Sequence, residues 1–125
     1  RSFKAMIHGG DTPEDWREAV YYRYWMQLAH HYVPAHYGIR TSDHKLIFYY
    51  GLPLDAASAV PEQSPAGWQF FDLSRDPDET VDLYHDSKYG KTIAAMKDQL
   101  LELKAEIGDT DERYPELMAV RERAW

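Results

Sequence analysis

Residues 31–50 read H-Y-V-P-A-H-Y-G-I-R-T-S-D-H-K-L-I-F-Y-Y, two runs of aromatic and β-branched residues around Ser42-Asp43-His44. Such residues suit a pleated, half-buried surface. Ser and Asp close tight turns by bonding back to nearby backbone. The stretch therefore predicts a β-hairpin, with strands over 37–41 and 45–50. Side chains alternate along a strand, which sets His36, Gly38 and Arg40 on one face and Tyr37, Ile39 and Thr41 on the other. In the second strand Leu46, Phe48 and Tyr50 oppose Lys45, Ile47 and Tyr49. Large side chains on both faces predict a hairpin covered on both sides. A chain of 125 residues has limited material for covering both, which suggests that part of the cover comes from elsewhere.

That length corresponds to one domain or part of one, with enough buried surface for one core. The ten tyrosines and the net charge of -7 describe an aromatic, acidic chain. The acidity argues against nonspecific nucleic-acid binding and against a polybasic membrane anchor. No apolar run approaches the roughly 18–20 residues that cross a bilayer. The absence of cysteine excludes a disulfide framework, a thiolate zinc site and a cysteine nucleophile within this stretch. Arg1-Ser2-Phe3-Lys4 reads as mid-protein sequence, so the chain is expected to be an excised fragment.

Along the chain, Gly9-Gly10 marks a loop. Thr12-Pro13-Glu14-Asp15 predicts a short helix, with a cap, a proline suited to the first turn and two acids at the positive end of the dipole. Residues 19–26 have strand character, and 27–35 form a loop around Pro34. Residues 51–67 read as a long loop, 68–73 as another strand, and 74–79 as a polar turn. A long helix is expected to open at Asp86 or Ser87 and end near Gly108. Its apolar stripe is Ile93, Met96, Leu100, Leu103 and Ile107. A second helical piece follows Pro115, through Leu117 to Trp125. The predicted fold class is α+β: an antiparallel sheet of three or four strands with a long amphipathic helix across one face. The other face stays open, and an apolar patch of that kind signals an interface.

Few residues offer chemistry. His30, His31 and His36 suggest a metal site or polar recognition of an anionic or hydroxylated ligand, with His36 and Arg40 on one strand face and Gly38 leaving room between them. Against this stands the plainer reading of a packed His36 and an Arg40 paired with an acid, which spacing alone favours. Arg23 and Lys45 are candidate anion contacts, though lone basic residues in strands are usually solvated or paired. Asp76-Pro77-Asp78-Glu79 lacks the spacing of a calcium loop and reads as a turn. Ser58 and Ser64 have no nucleophile-elbow context, and there is no glycine-rich phosphate loop. No complete catalytic constellation is present.

Several strings resemble the C-terminal subdomain of type I, formylglycine-dependent sulfatases. They are W-R-E-A-V-Y-Y-R-Y-W from Trp16, H-Y-V-P-A-H-Y-G-I-R-T from His31, H-K-L-I-F-Y-Y from His44 and W-Q-F-F-D-L-S-R-D-P-D-E-T-V-D-L-Y from Trp68. Their order and spacing also agree, over roughly residues 16–108. Asp82 stands where Asn is usual. The nearest branch is that of mucin-desulfating and N-acetylglucosamine-6-sulfatase-like enzymes.

The resemblance implies a four-stranded antiparallel sheet packed by a long C-terminal helix. It makes residues 1–125 a subdomain that packs on an N-terminal catalytic α/β domain absent from this chain. It implies hydrolysis of sulfate esters on a sulfated carbohydrate, by a formylglycine made from Cys or Ser in a C/S-x-P-x-R motif and with a calcium ion holding the sulfate. Neither that motif nor those metal ligands are expected in this segment, which should be inactive alone. The resemblance matches His31 and His36 to the paired histidines ahead of G-I-R-T, and makes His36 first and His31 second as contacts on the substrate-pocket wall. It makes Arg40 structural and implies a periplasmic or secreted protein. The isolated chain is expected to self-associate through its open face. Two other readings remain: a phosphonate or phosphate monoester hydrolase of the same superfamily, and a stand-alone carbohydrate-binding or interaction module.

Overall fold

The computed structural model of the chain describes residues 4–13 and 16–125. The hairpin is present, and two more strands flank it. Strands β1 (Val20–Tyr24), β2 (His36–Arg40), β3 (His44–Tyr49) and β4 (Gly67–Asp72) follow one another in a sheet of order β1-β2-β3-β4. All neighbours are antiparallel. Helix α1 (Lys4–Ile7), which the sequence reading did not anticipate, precedes the sheet, and α2 (Gly90–Glu106) and α3 (Pro115–Ala124) follow it. The expected α+β class, four strands and C-terminal helix are therefore observed. Of the helix expected at Thr12-Pro13-Glu14-Asp15, Glu14 and Asp15 lie outside the described residues, and Thr12 and Pro13 are not helical.

Register decides which side chains share a face. Tyr37 lies opposite Arg23 on one side and Phe48 on the other, and Phe48 lies opposite Trp68. This face carries the core. Tyr37, Ile39, Leu46, Phe48 and Phe70 are fully buried and pack with Ile93, Met96 and Leu100 of α2 and Leu117 and Val120 of α3. Burying side chains of this size contributes roughly 1.5–3 kcal/mol each, so most of the fold's stability lies between this face and the helices. The opposite face holds a smaller cluster of Ile47, Phe71 and Leu73, against which Tyr22 and Tyr49 pack.

The ends of the long helix match the sequence signals. The Asp86 side chain accepts from the Lys88 N–H at the start of a 3-10 turn, Ser87–Tyr89, that leads into α2. After the helix Gly108 takes a φ of +73°, a conformation that glycine adopts without steric cost. The apolar stripe departs from expectation at its last turn. Ile107 is 64% exposed, whereas Lys104 is 1% exposed. The helix ends at Glu106, so Ile107 leaves the helical face, and the ammonium of Lys104 takes the inner position at 3.8 Å from the Tyr37 ring. Replacing Ile107 with Ser is accordingly expected to change stability by no more than about 0.5 kcal/mol. A shift of the urea midpoint corresponding to a core deletion would contradict this placement.

The loop after α2 returns beneath the sheet. Asp109 accepts from the Tyr21 hydroxyl and pairs with Arg23 at 2.5 Å. Asp111 accepts from the Tyr37 hydroxyl at 2.8 Å and from Arg121 at 3.0 Å. Lys104 Nζ and Asp111 Oδ1 approach to 2.9 Å as an ion pair whose angles fall outside hydrogen-bond geometry. Two acidic loop residues thus fasten α2, α3 and the first two strands together.

Candidate functional site

The face turned away from the helices carries the histidine singled out from the sequence. His36 lies opposite Tyr24 on β1 and Tyr49 on β3. Tyr24 stacks on its ring at 5.4 Å, Tyr49 is tilted at 5.1 Å and Tyr22 meets it edge-on at 6.1 Å. On the fourth side His36 Nδ1 is 2.8 Å from the Pro34 carbonyl oxygen. A carbonyl can only accept, so Nδ1 carries the proton and the neutral ring presents Nε2 as an acceptor. Burial lowers the His36 pKa from its ordinary value, and Lys45 lowers it further, against the opposing effect of the Pro34 hydrogen bond. A desolvated imidazole disfavours the charged form, so this histidine is built to accept a hydrogen bond.

Gly38 does not keep this face open, as the sequence reading expected. A Cβ there would lie 2.6 Å from the Tyr22 hydroxyl oxygen and 2.5 Å from the Leu46 carbonyl oxygen. The space beside Gly38 is taken by the Tyr22 ring, which closes one side of the histidine cage. The Tyr22 and Tyr24 hydroxyls are enclosed without a hydrogen-bond partner among the described residues.

The basic candidates are all paired. Arg23 lies on the helix face with its side chain 3% exposed, bonded to Asp109 and with its guanidinium 3.4 Å from the Trp25 ring centroid. It is not an anion contact. Lys45 pairs with Glu79 at 2.5 Å, and Arg40 approaches the same carboxylate at 3.7 Å. Glu79 reaches them from a left-handed backbone, φ +55°, at the end of the Asp76-Pro77-Asp78-Glu79 turn. Asp76 holds that turn by accepting from Thr80 N, Thr80 Oγ1 and Val81 N at 2.7, 3.0 and 2.8 Å. The Val81 hydrogen bond above all keeps its carboxyl below the usual range. The acidic run therefore serves as a turn that delivers a counter-ion to the sheet.

His31 sits elsewhere, on an exposed turn with φ +57°, followed by Tyr32 at +55°. Positive φ is uncommon in residues with side chains, and Leu28 in the same loop has it too. The loop is anchored by Gln27, which is fully buried. Its Oε1 accepts from Ala35 N at 2.7 Å, and its Nε2 donates to the Glu62 carbonyl at 3.0 Å and to Ser64 Oγ at 3.1 Å. Nothing in the sequence distinguishes this glutamine from an ordinary loop residue. Among the described residues, no three histidine, cysteine or carboxylate side chains gather as a group that could hold a metal ion. His30, His31 and His36 thus form no such group.

Next to the histidine cage, a shallow cleft of 450 Å³ is lined by Pro34, Tyr49, Pro65, Trp68, Gln69 and Asp82. The Tyr49 hydroxyl donates to Gln69 Oε1 at 2.8 Å. Sequence reasoning missed this cleft, because only the β3–β4 register, with Gly67 opposite Tyr49 and Gln69 opposite Ile47, sets Gln69 on the face of Tyr49. Two larger grooves, of 590 and 770 Å³, run along residues 16–20 beside Gln99 of α2 and share no lining residue with it.

The family model for N-sulphoglucosamine sulphohydrolase, C-terminal, matches residues 1–106. An N-acetylglucosamine-6-O-sulfatase of Bacteroides thetaiotaomicron is 35% identical over 102 residues, which are 82% of this chain and 16% of that protein. A protein solved in complex with its substrate D-glucosamine-2-N,6-O-disulfate is similar with a TM-score of 0.66 and 35% identity, over 85% of this chain and 19% of that one. The phosphonate monoester hydrolase of Agrobacterium radiobacter shares the fold, with a TM-score of 0.56 and 19% identity over 84% of this chain and 20% of that one. The chain thus spans 16–20% of the length of these proteins.

Proposed function

The chain belongs to the N-sulphoglucosamine sulphohydrolase C-terminal family, and on that footing we propose that it is the C-terminal part of a longer sulfatase acting on a sulfated carbohydrate. The sheet face opposite the helices packs on the catalytic domain, and its His36 end forms a wall of the substrate pocket. The formylglycine nucleophile and the calcium ion expected of such an enzyme belong to the remainder of the protein.

The observation that supports this role best is the state of His36. Three tyrosine rings and the Pro34 carbonyl hold it in one orientation, and among the described residues no hydrogen-bond partner of Nε2 is found. A neutral imidazole so held accepts from a sugar hydroxyl or amine N–H. His31, on the exposed turn that leads into β2, is the second contact. Arg40 is structural, held with Lys45 by Glu79.

The longer protein carrying this chain should release sulfate from glucosamine 6-sulfate. Replacing His36 with Ala should lower kcat/KM roughly 10-fold or more, the loss expected for one pocket hydrogen bond, while circular dichroism stays unchanged. An unaltered kcat/KM would remove His36 from the pocket. If the longer protein hydrolysed phosphonate monoesters and no sulfate ester, the fold shared with the Agrobacterium enzyme would be the better guide to activity.

A further inference from the structure

The cleft beside the cage has a polarity of its own. Among the described residues, none that lines it is a cation. Asp82 stands exposed at its rim. One of its oxygens, Oδ1, accepts from Phe70 N and Tyr84 N, each at 3.0 Å. Those two backbone donors set the carboxylate in place. Of the neighbouring basic groups, Lys45 is paired with the carboxylate of Glu79 at 2.5 Å, and Lys97 of α2 donates to the Tyr84 hydroxyl at 2.9 Å and lies 4.3 Å from the Trp68 ring centroid, outside the cleft lining. Pro34, Pro65 and Tyr49 supply flat apolar surface beside the carboxylate and the Gln69 amide. His36 lies behind Tyr49, with ring centroids 5.1 Å apart, and is not one of the cleft's lining residues.

We propose that this cleft is a sugar subsite that binds a ring through its hydroxyl or protonated amino groups and rejects a ring bearing sulfate on the part that enters. Apolar flat surface suits the C–H face of a pyranose, and a fixed carboxylate beside it accepts from hydroxyls or pairs with an ammonium. A sulfate in the same place meets the charge of Asp82 with no cation among the described lining residues to offset it. The identity of the ligand as a sugar rests on the sulfatase reading above.

The test is a titration of the longer protein carrying this chain, ¹⁵N-labelled in glycine, tryptophan and glutamine, with methyl β-D-glucosaminide and with its N-sulfated counterpart, followed by amide chemical shifts. The unsulfated glycoside should move Gly67, Trp68 and Gln69, including the Gln69 side-chain amide, in a saturable way, and the N-sulfated one should not. Asp82→Asn keeps an oxygen for the two backbone donors. It should weaken binding of the glucosaminide about 10-fold, as loss of one charge-assisted hydrogen bond does, and should admit the N-sulfated ligand. Unmoved Gly67–Gln69 signals, or equal binding of both glycosides, would overturn the proposal. Unmoved signals together with an intact His36 effect on sulfate release would remove the subsite and leave the sulfatase reading standing. Shifts in the cleft without sulfatase activity in the longer protein would do the reverse.

Discussion

Replacing Asp111 with Ala is expected to destabilise the chain by about 3–5 kcal/mol, the cost of leaving a buried charge without its partner. Domains have only about 5–15 kcal/mol in all, so the variant should be largely unfolded in mild urea. Asp111 is fully buried and Lys104 is 1% exposed. The carboxylate takes three groups at once: the Tyr37 hydroxyl, Arg121 and the Lys104 ammonium. Burial alone would raise its pKa, but Lys104, Tyr37 and Arg121 together outweigh it and hold the carboxyl below the usual range. Burial in turn lowers the Lys104 pKa, opposed by Asp111 and Asp109.

The double variant Lys104→Met with Asp111→Ala should recover part of the loss, since no unpaired buried ammonium remains. Urea unfolding followed by far-UV circular dichroism measures both. A loss below about 1 kcal/mol in the single variant, the range of an exposed pair, would show that the pair is solvated. The same carboxylate sets an acid limit. The native state binds its proton less tightly than the unfolded chain does, so its contribution is complete above the unfolded carboxylate pKa of about 4. It fades as pH falls through the lower native value. Asp111→Asn should flatten that part of the stability profile, and an unchanged slope below pH 4 would assign the acid limit to other carboxylates.

Replacing Gly38 with Ala should cost about 3 kcal/mol, the upper end for overpacking a filled site. The φ of this residue is not the obstacle. The new Cβ would lie 2.5 Å from the backbone oxygen of Leu46 on the neighbouring strand, and 2.6 and 2.8 Å from the Tyr22 hydroxyl oxygen and Cζ. The Tyr22 ring can rotate away, but the Leu46 carbonyl belongs to the β2–β3 ladder and moves only with the sheet. Tyr22→Ala added to Gly38→Ala should therefore recover only part of the loss. Moving Tyr22 also opens one side of the histidine cage, so the His36 pKa should rise toward its ordinary value, which an NMR titration of the ring reads directly. A Gly38→Ala variant as stable as the parent would mean that the close approach is relieved elsewhere.

Local patterns carried much of this fold. Period-2 alternation over residues 36–50 correctly separated Tyr37 and Ile39 from His36, Gly38 and Arg40 in one strand and Leu46 and Phe48 from Lys45 and Ile47 in the next, and the register and burial then made Tyr37, Ile39, Leu46 and Phe48 the core face. Asp86, Gly108 and Pro115 marked the helix ends because caps and breakers act over one or two residues. The strings around His31, His44 and Trp68 pointed to the sulfatase family.

What those patterns could not carry depends on groups far apart in the chain. Tyr37 meets Asp111 across 74 residues and Tyr21 meets Asp109 across 88. Such pairings decide that Lys104 is buried while Ile107 is not, and that Arg23 is a locked ion rather than an anion contact. The role of Gly38 was equally hidden, since only the β1–β2 register lays Tyr22 across it. Short-range signals were enough for the four strands, the two C-terminal helices, the alternation of side chains along the strands and the family, because propensity, alternation and capping act over a few residues; they missed α1 and misplaced a helix at Thr12-Pro13. Which charges are neutralised, which face of the sheet is filled and which rings enclose His36 came only with the fold, because each depends on partners that folding brings together.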